Sequence, residues 1–267
     1  MRPLLSSTQV AQLLHVSPAT VKRWADAGLL PCERTVGGHR HFARAAVDKL
    51  LRRSDLATGL DVDRWIELLL HPGHGLSLDA ALLTERSKLE GWFDVAEQLG
   101  PVLEALGRHW EQGRISVLEE HVASERLSRA LGRAGANLPT RAGTPHAVLA
   151  TLEGEAHTLG LSLVELCMRE WGWATLWAGR ATLLSDLERL AFGGDIGAVA
   201  LSASVCGDPL ELAAAARRLG TACRAGRVGL VMGGRGAWPD PPPFGSVERS
   251  FRGLRTWMAR LESGHLR

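Results

Sequence analysis

Glu155-Ala156-His157-Thr158-Leu159-Gly160 decides how the 267-residue chain is read. The apolar run His146-Ala147-Val148-Leu149-Ala150-Thr151-Leu152 before it reads as a buried strand, and the pattern Leu161 to Glu170 after it reads as a helix. A strand, a short loop and a helix N-terminus is where open α/β sheets take their ligands. His157 can offer one ring nitrogen to a metal while Glu155 orients the ring through the other. Gly160 lets a large ligand approach the backbone. On these residues alone, a loop histidine beside a glutamate is more often a surface pair.

Two features further along belong to the same edge. Ser202 follows Gly160 after 41 residues, closing the apolar run Gly197-Ala198-Val199-Ala200-Leu201, and Gly233-Gly234 closes Val228 to Met232. Strands are expected at 146–152, 173–178, 197–202 and 227–232. Helices are expected at 158–171, 183–191, 208–220 and 248–262. This alternation predicts a doubly wound parallel sheet, Rossmann-like, with His157, Ser202 and the glycine pair on its carboxyl edge. Asp240-Pro241-Pro242-Pro243 reads as a stiff loop nearby.

The spacing resembles the cobalamin-binding domain of methionine synthase and the corrinoid mutases, whose pattern is Asp-x-His-x-x-Gly, Ser-x-Leu and Gly-Gly. Glu155 stands where that family has Asp, and Ser204 where it usually has Leu. The resemblance implies that His157 is the lower axial cobalt ligand. It also implies that the cofactor's displaced tail runs past Ser202, Gly233 and Gly234, with Ser204 in the lining of its pocket, while Glu155 fixes the His157 ring and Gly160 admits the cofactor to the backbone.

The net charge of +2 is unevenly spread: residues 1–53 carry nine Lys or Arg against three acids, a net +6. A basic segment on a near-neutral body suggests a polyanion partner for that segment. The four cysteines form no C-x-x-C and read as reduced thiols. No secretory h-region is seen and no apolar run approaches the ~18 residues of a span, so a cytoplasmic protein without a membrane partner is expected. Tyrosine is absent while Trp occurs nine times; no physical reason for that is evident.

Near the N-terminus, 7–14 reads as a helix capped by Ser7, and Ser17-Pro18 starts a second helix to Ala27. Val10, Leu13, Leu14, Val16, Val21 and Trp24 would pack the pair, leaving Thr20, Lys22 and Arg23 outward. Arg34 to Phe42, with Gly37-Gly38 at its tip, reads as a hairpin wing whose cations reach phosphates; a solvated basic loop is the plainer alternative. The combination resembles the winged helix-turn-helix DNA-binding domain of the MerR family. That resemblance implies DNA contacts from Ser17, Thr20, Lys22, Arg23, Arg34, Gly38, His39 and Arg40. No sustained heptad follows, unlike most MerR proteins.

Residues 55–76 hold a helical stretch, Val62 to Leu70, and the Pro/Gly cluster His71 to Gly75; they read as a linker. Residues 77–140 are helical in pattern, divided by Gly91, Gly100-Pro101 and Gly113 into about four helices of a bundle. Within it Trp110 is followed after nine residues by Glu120-His121. Taken alone these read as a core tryptophan and a solvated helix face. In context they resemble the cofactor-capping bundle of the CarH/LitR-type light-dependent repressors. The chain is therefore expected to be multidomain: 1–54 winged helix-turn-helix, 55–76 linker, 77–140 four-helix bundle, and 141–267 cobalamin-binding domain.

This resemblance implies a light-responsive transcriptional repressor, not an enzyme, with adenosylcobalamin as cofactor. It implies a homotetramer on operator DNA in the dark that disassembles when light breaks the Co–C bond. Trp110, Glu120 and His121 would meet the adenosyl side, with His121 as an upper cobalt ligand once that group has left. Two alternatives stay open: a MerR-type regulator that ignores light or acts without cobalamin, and, less favoured, a corrinoid enzyme subunit.

Overall fold

The computed structural model describes residues 4–13, 18, 21–22, 25, 30–34, 38, 40–44, 46–47, 61–71, 77–204 and 207–264. The head holds β1 (Leu4–Ser6), α1 (Ser7–Leu13), β2 (Cys32–Arg34) and β3 (Arg40–Ala43), with β3 between the other two strands, antiparallel to both. Arg34 pairs with Arg40 and Cys32 with Phe42, which is the expected hairpin wing. Gly38 lies in its tip at φ +75°, a conformation glycine takes without strain. Val10, Val21, Leu30, Phe42 and Val47 close a small core. The cap of α1 is Ser6, not Ser7: its Oγ accepts from Gln9 N at 3.2 Å while Gln9 Oε1 accepts from Ser6 N at 2.9 Å. This reciprocal box needs a Gln three residues on, which Ser6 has and Ser7 lacks.

Four helices follow: α2 (Val62–Leu70), α3 (Leu78–Lys88), α4 (Trp92–Glu111) and α5 (Val117–Ala136). Each start except that of α4 has a side-chain cap, from Asp61, Ser77 and Ser116 respectively. The helix in the expected linker, α2, packs on α4 and α5 through Trp65, Ile66 and Leu69, and Arg126 donates to the Leu69 carbonyl. The break expected at Gly100-Pro101 does not occur, and α4 runs through both residues. Val95, Ala96, Leu99, Val102, Ala105 and Leu106 keep one buried face in phase. Pro101 lies on the exposed side, where water can serve the carbonyl its missing N–H leaves free.

The remainder is β4 (His146–Leu152), α6 (Leu159–Glu170), β5 (Ala174–Thr182), α7 (Leu184–Gly193), β6 (Ala198–Ala203), α8 (Pro209–Gly226), β7 (Gly229–Gly234), β8 (Ser246–Val247) and α9 (Phe251–Glu262). The five strands are parallel in the order β5-β4-β6-β7-β8. One face of the sheet shares a core with α6, α9 and the bundle; the other is covered by α7 and α8. The connection from β7 to β8 carries no helix, and Trp238 fills that place, donating from Nε1 to the Gly233 carbonyl at 2.8 Å.

Two carboxylates join bundle and sheet reciprocally. Glu97 of α4 accepts from Phe251 N (2.8 Å) and Arg252 N (3.3 Å) at the start of α9. Glu170 of α6 accepts from Trp92 N (2.6 Å) at the start of α4 and pairs with Arg86 (3.1 Å). Each negative charge sits where a helix exposes unpaired N–H groups. Gly91 makes room, since a Cβ there would lie 2.9 Å from Glu170 Oε2. Among the described residues no helix is long and apolar enough to cross a membrane.

Candidate functional site

Renumbered from β4, the strand order is 2-1-3-4-5, so chain direction across the sheet reverses at β4. The crevice between the carboxyl ends of β4 and β6 is the topological switch point, where such sheets bind ligands. Thr151, Ser202 and Gly233 are in register there, one row across three strands. The loop 153–158 rises from β4, and Ser204 follows β6.

Glu155 joins the two sides of this crevice. Its Oε1 accepts from His157 N at 2.8 Å and lies 2.6 Å from His157 Nδ1; its Oε2 accepts from Ser204 N at 2.6 Å. The carboxylate is buried while the His157 side chain is 63 % exposed. Burial pushes the Glu155 carboxyl up, but the amides of Ser204 and His157, with their side chains, more than offset it and hold the group below the ordinary carboxylate range. It is therefore an anion fixed at both oxygens. With Nδ1 turned to Glu155, Nε2 is the ring atom left for an external ligand.

Gly160 lies in the first turn of α6, exposed, with no atom within 4 Å of where a Cβ would stand. Gly233 and Gly234 end β7. Gly234 has φ +79° and a Cβ would lie 2.3 Å from the Ala203 carbonyl, so no other residue fits without movement. Ser202 is half-buried beside it.

Above this edge lies the free end of the bundle. Ser128 Oγ meets Ser162 Oγ at 2.9 Å, and Gly135 abuts Arg169, so α5 and α6 run in the same direction. Val117 stands eleven residues before Ser128, whereas Leu159 stands only three before Ser162. At 1.5 Å per residue, α5 overshoots the start of α6 by about 12 Å, beyond the carboxyl edge of the sheet. This overhang carries Val117, Leu118, His121 and Val122 exposed on one side, and Trp110, in the last turn of α4, is 45 % exposed. Glu120 accepts from Ser124 Oγ (2.6 Å) and lies 3.7 Å from His121 Nε2. Trp110, expected as core on its residues alone, is thus a surface residue.

Residues 4–55 match the family model of a helix-turn-helix domain, and residues 78–134 that of a B12 binding domain. Among solved structures, the chain is similar to the Methanosarcina barkeri monomethylamine corrinoid protein. That match has 14 % identity over 76 % of this chain and 95 % of that one, with a TM-score of 0.57. It is also matched, at 14 % identity, to a cobalamin-binding protein from Desulfitobacterium hafniense DCB-2 (76 % and 98 % covered, TM-score 0.37). A third match, again at 14 %, is the methanol:cobalamin methyltransferase complex of M. barkeri (83 % and 93 %, 0.39). No curated protein matches the sequence. The head and the helical region together fit a cobalamin-binding helix-turn-helix regulator, and the sheet has the fold of a corrinoid-binding protein.

On the head, Lys22, Arg34 and Gly38 are exposed and Arg40 is half-buried opposite Arg34. Ser17, Thr20, Arg23 and His39 lie outside the described residues, as do Trp24 and His74. Cys167 and Cys223 are buried, which pushes their thiols up, that of Cys223 to about 12; neither offers a thiolate. Sequence reasoning missed the Ser204 amide as a partner of Glu155, because a backbone group leaves no signature in residue type. It also missed Thr151, whose hydroxyl sits in an otherwise apolar strand.

Proposed function

We propose that this chain is an adenosylcobalamin-dependent, light-responsive transcriptional repressor of the CarH/LitR type, not an enzyme. The observation that carries the reading is the Glu155–His157 pair at the switch point beneath an overhanging helix that exposes Val117, Leu118 and His121. His157 offers one imidazole nitrogen, so a metal held there must bring most of its other ligands, as a corrin ring does. The residues fit that group: Nε2 is free of Glu155 and space stands open above Gly160. When bound, the cofactor supplies a cobalt–carbon bond that visible light breaks.

The chain's own part is to hold and to read. Glu155 keeps the His157 ring in one tautomer and one orientation. Trp110, Val117, Leu118 and Val122 form an apolar surface around Glu120 and His121 that gains a neighbour only in the loaded protein. Two states that differ in what covers this surface differ in the position of α5, and the shift between them is limited by the cofactor's differential affinity.

Assembly converts that shift into DNA binding. One small head makes few phosphate contacts; several linked heads gain about 10²–10⁴ in avidity. The partners are then operator DNA and three further copies in the dark, within the cytoplasm. The test is fluorescence anisotropy on DNA flanking the protein's own gene, with adenosylcobalamin, dark and after green light. The expected result is a fall in affinity of about 10²-fold or more on illumination. Affinity that depends on the cofactor but ignores light would replace this reading with a light-insensitive regulator.

A further inference from the structure

We propose that Thr151 is a positioning residue whose hydroxyl latches the His157 loop to the end of β5 and so fixes the direction in which His157 presents Nε2. This rests on the reading of His157 as the ligand.

The ladder between β4 and β5 breaks at Thr151. Ala150 pairs with Gly179 and Leu152 with Thr182, and the register shifts between Leu149 and Ala150 and again between Ala150 and Leu152, so Thr151 has no Cα partner on β5. Its side chain takes over. Oγ1 accepts from Ala181 N at 3.3 Å and has two carbonyls in reach, Glu155 O at 2.9 Å and Gly179 O at 3.3 Å. A hydroxyl has one proton, and the shorter contact goes to Glu155. The residue is fully buried, so neither water nor another rotamer replaces these bonds cheaply.

β5 is bent to meet it. Gly179 has φ +78° and Ala181, which is not a glycine, has φ +50°. A left-handed alanine persists where its surroundings over-determine it, and here its N–H points at Thr151.

The consequence runs through Glu155, which is held at three points. Thr151 holds its carbonyl, Ser204 N holds Oε2, and Leu152 O accepts its N–H at 3.1 Å. Its Oε1 is then fixed in space, and both His157 contacts depend on that oxygen. Thr151 is fully buried and its hydroxyl bonds to Glu155, Gly179 and Ala181, not to His157; it acts through Glu155.

The experiment compares the wild type, Thr151→Val and Thr151→Ser as full chains. Thr151→Cys, with only a weak donor, is the second variant if valine does not fold. Without cofactor, residue-resolved amide exchange is expected to rise about tenfold at Glu155, His157, Ala181 and Ser204 in Thr151→Val. Val148 and Leu149 should stay unchanged, and Thr151→Ser should restore the wild-type rates. Loaded with adenosylcobalamin in the dark, Thr151→Val should show a smaller fraction of nitrogen-ligated cobalt in the visible spectrum, again restored by serine.

Three results overturn the proposal: exchange that does not change, exchange that rises evenly along β4, or a wild-type spectrum in Thr151→Val. A wild type that takes up no adenosylcobalamin defeats the proposed function instead, and the exchange rates alone then decide whether the latch exists.

Discussion

The bundle has two unlike ends. Beside α6 it is finished within the chain: Leu127 and Leu131 are buried, Ser128 meets Ser162, and Glu170 and Glu97 cap helices across the contact. Beyond the sheet edge the same helix leaves Leu118 71 % and Val117 53 % exposed, with Trp110 nearby. Contiguous exposed apolar side chains mark a surface built for something outside the fold. On the function proposed above, one helix serves two purposes, its C-terminal half to stabilise the protein and its N-terminal half to read what sits on the sheet.

Substitutions at the two ends should separate these purposes. The largest effect on the empty chain is expected from Leu131→Ala, about 2–5 kcal/mol in denaturant unfolding, against less than about 0.5 kcal/mol for Leu118→Ala. Equal losses at both would remove the distinction. Glu170→Ala should cost about 1–3 kcal/mol, because the Trp92 amide is left without its acceptor. Cofactor affinity of the folded fraction should stay at the wild-type value, and a matching drop there would join the two ends.

Glu155→Gln should cost the chain about 1–3 kcal/mol near neutral pH, because an amide cannot accept from both Ser204 N and His157 N, and weaken adenosylcobalamin about 10–100-fold, as loss of a ligand's orienting partner does. Its acid behaviour sharpens this. The folded-state value for Glu155 is lowered, so its contribution to stability is complete above the ordinary glutamate value of about 4.3 and fades as pH falls through the lower folded one. Acid unfolding of the glutamine variant should lack that component. The smallest effect on the empty chain is expected from Trp110→Ala, within about 0.5 kcal/mol, although sedimentation of the loaded protein in the dark should show impaired assembly. Normal dark assembly would leave Trp110 without a reading role.

The buried parallel strands were the most legible part of the sequence, because both faces are apolar and the run is nearly continuous. β4 lies where expected, at 146–152, and β6 and β7 lie within two residues of their predicted spans. β5 runs to Thr182, past the expected end at 178, where the Ala181 N–H is held by the Thr151 hydroxyl. β8 has two residues, too few for a pattern. Two helical features needed tertiary context. Pro101 is tolerated because it faces water, and α2 is a bundle helix because Trp65 and Leu69 find α4 and α5. Of the site, Glu155, His157 and the glycine pair could be read from residue type and spacing. The overhang could not, because it depends on how far α5 slides past α6.

The most direct measurement is size-exclusion chromatography with in-line absorbance, on protein loaded with adenosylcobalamin, run in the dark and again after green light. The account predicts a coloured tetramer that becomes a smaller coloured species. A protein that elutes colourless, with free cofactor behind it, would contradict the cobalamin site at His157 on which every later step depends.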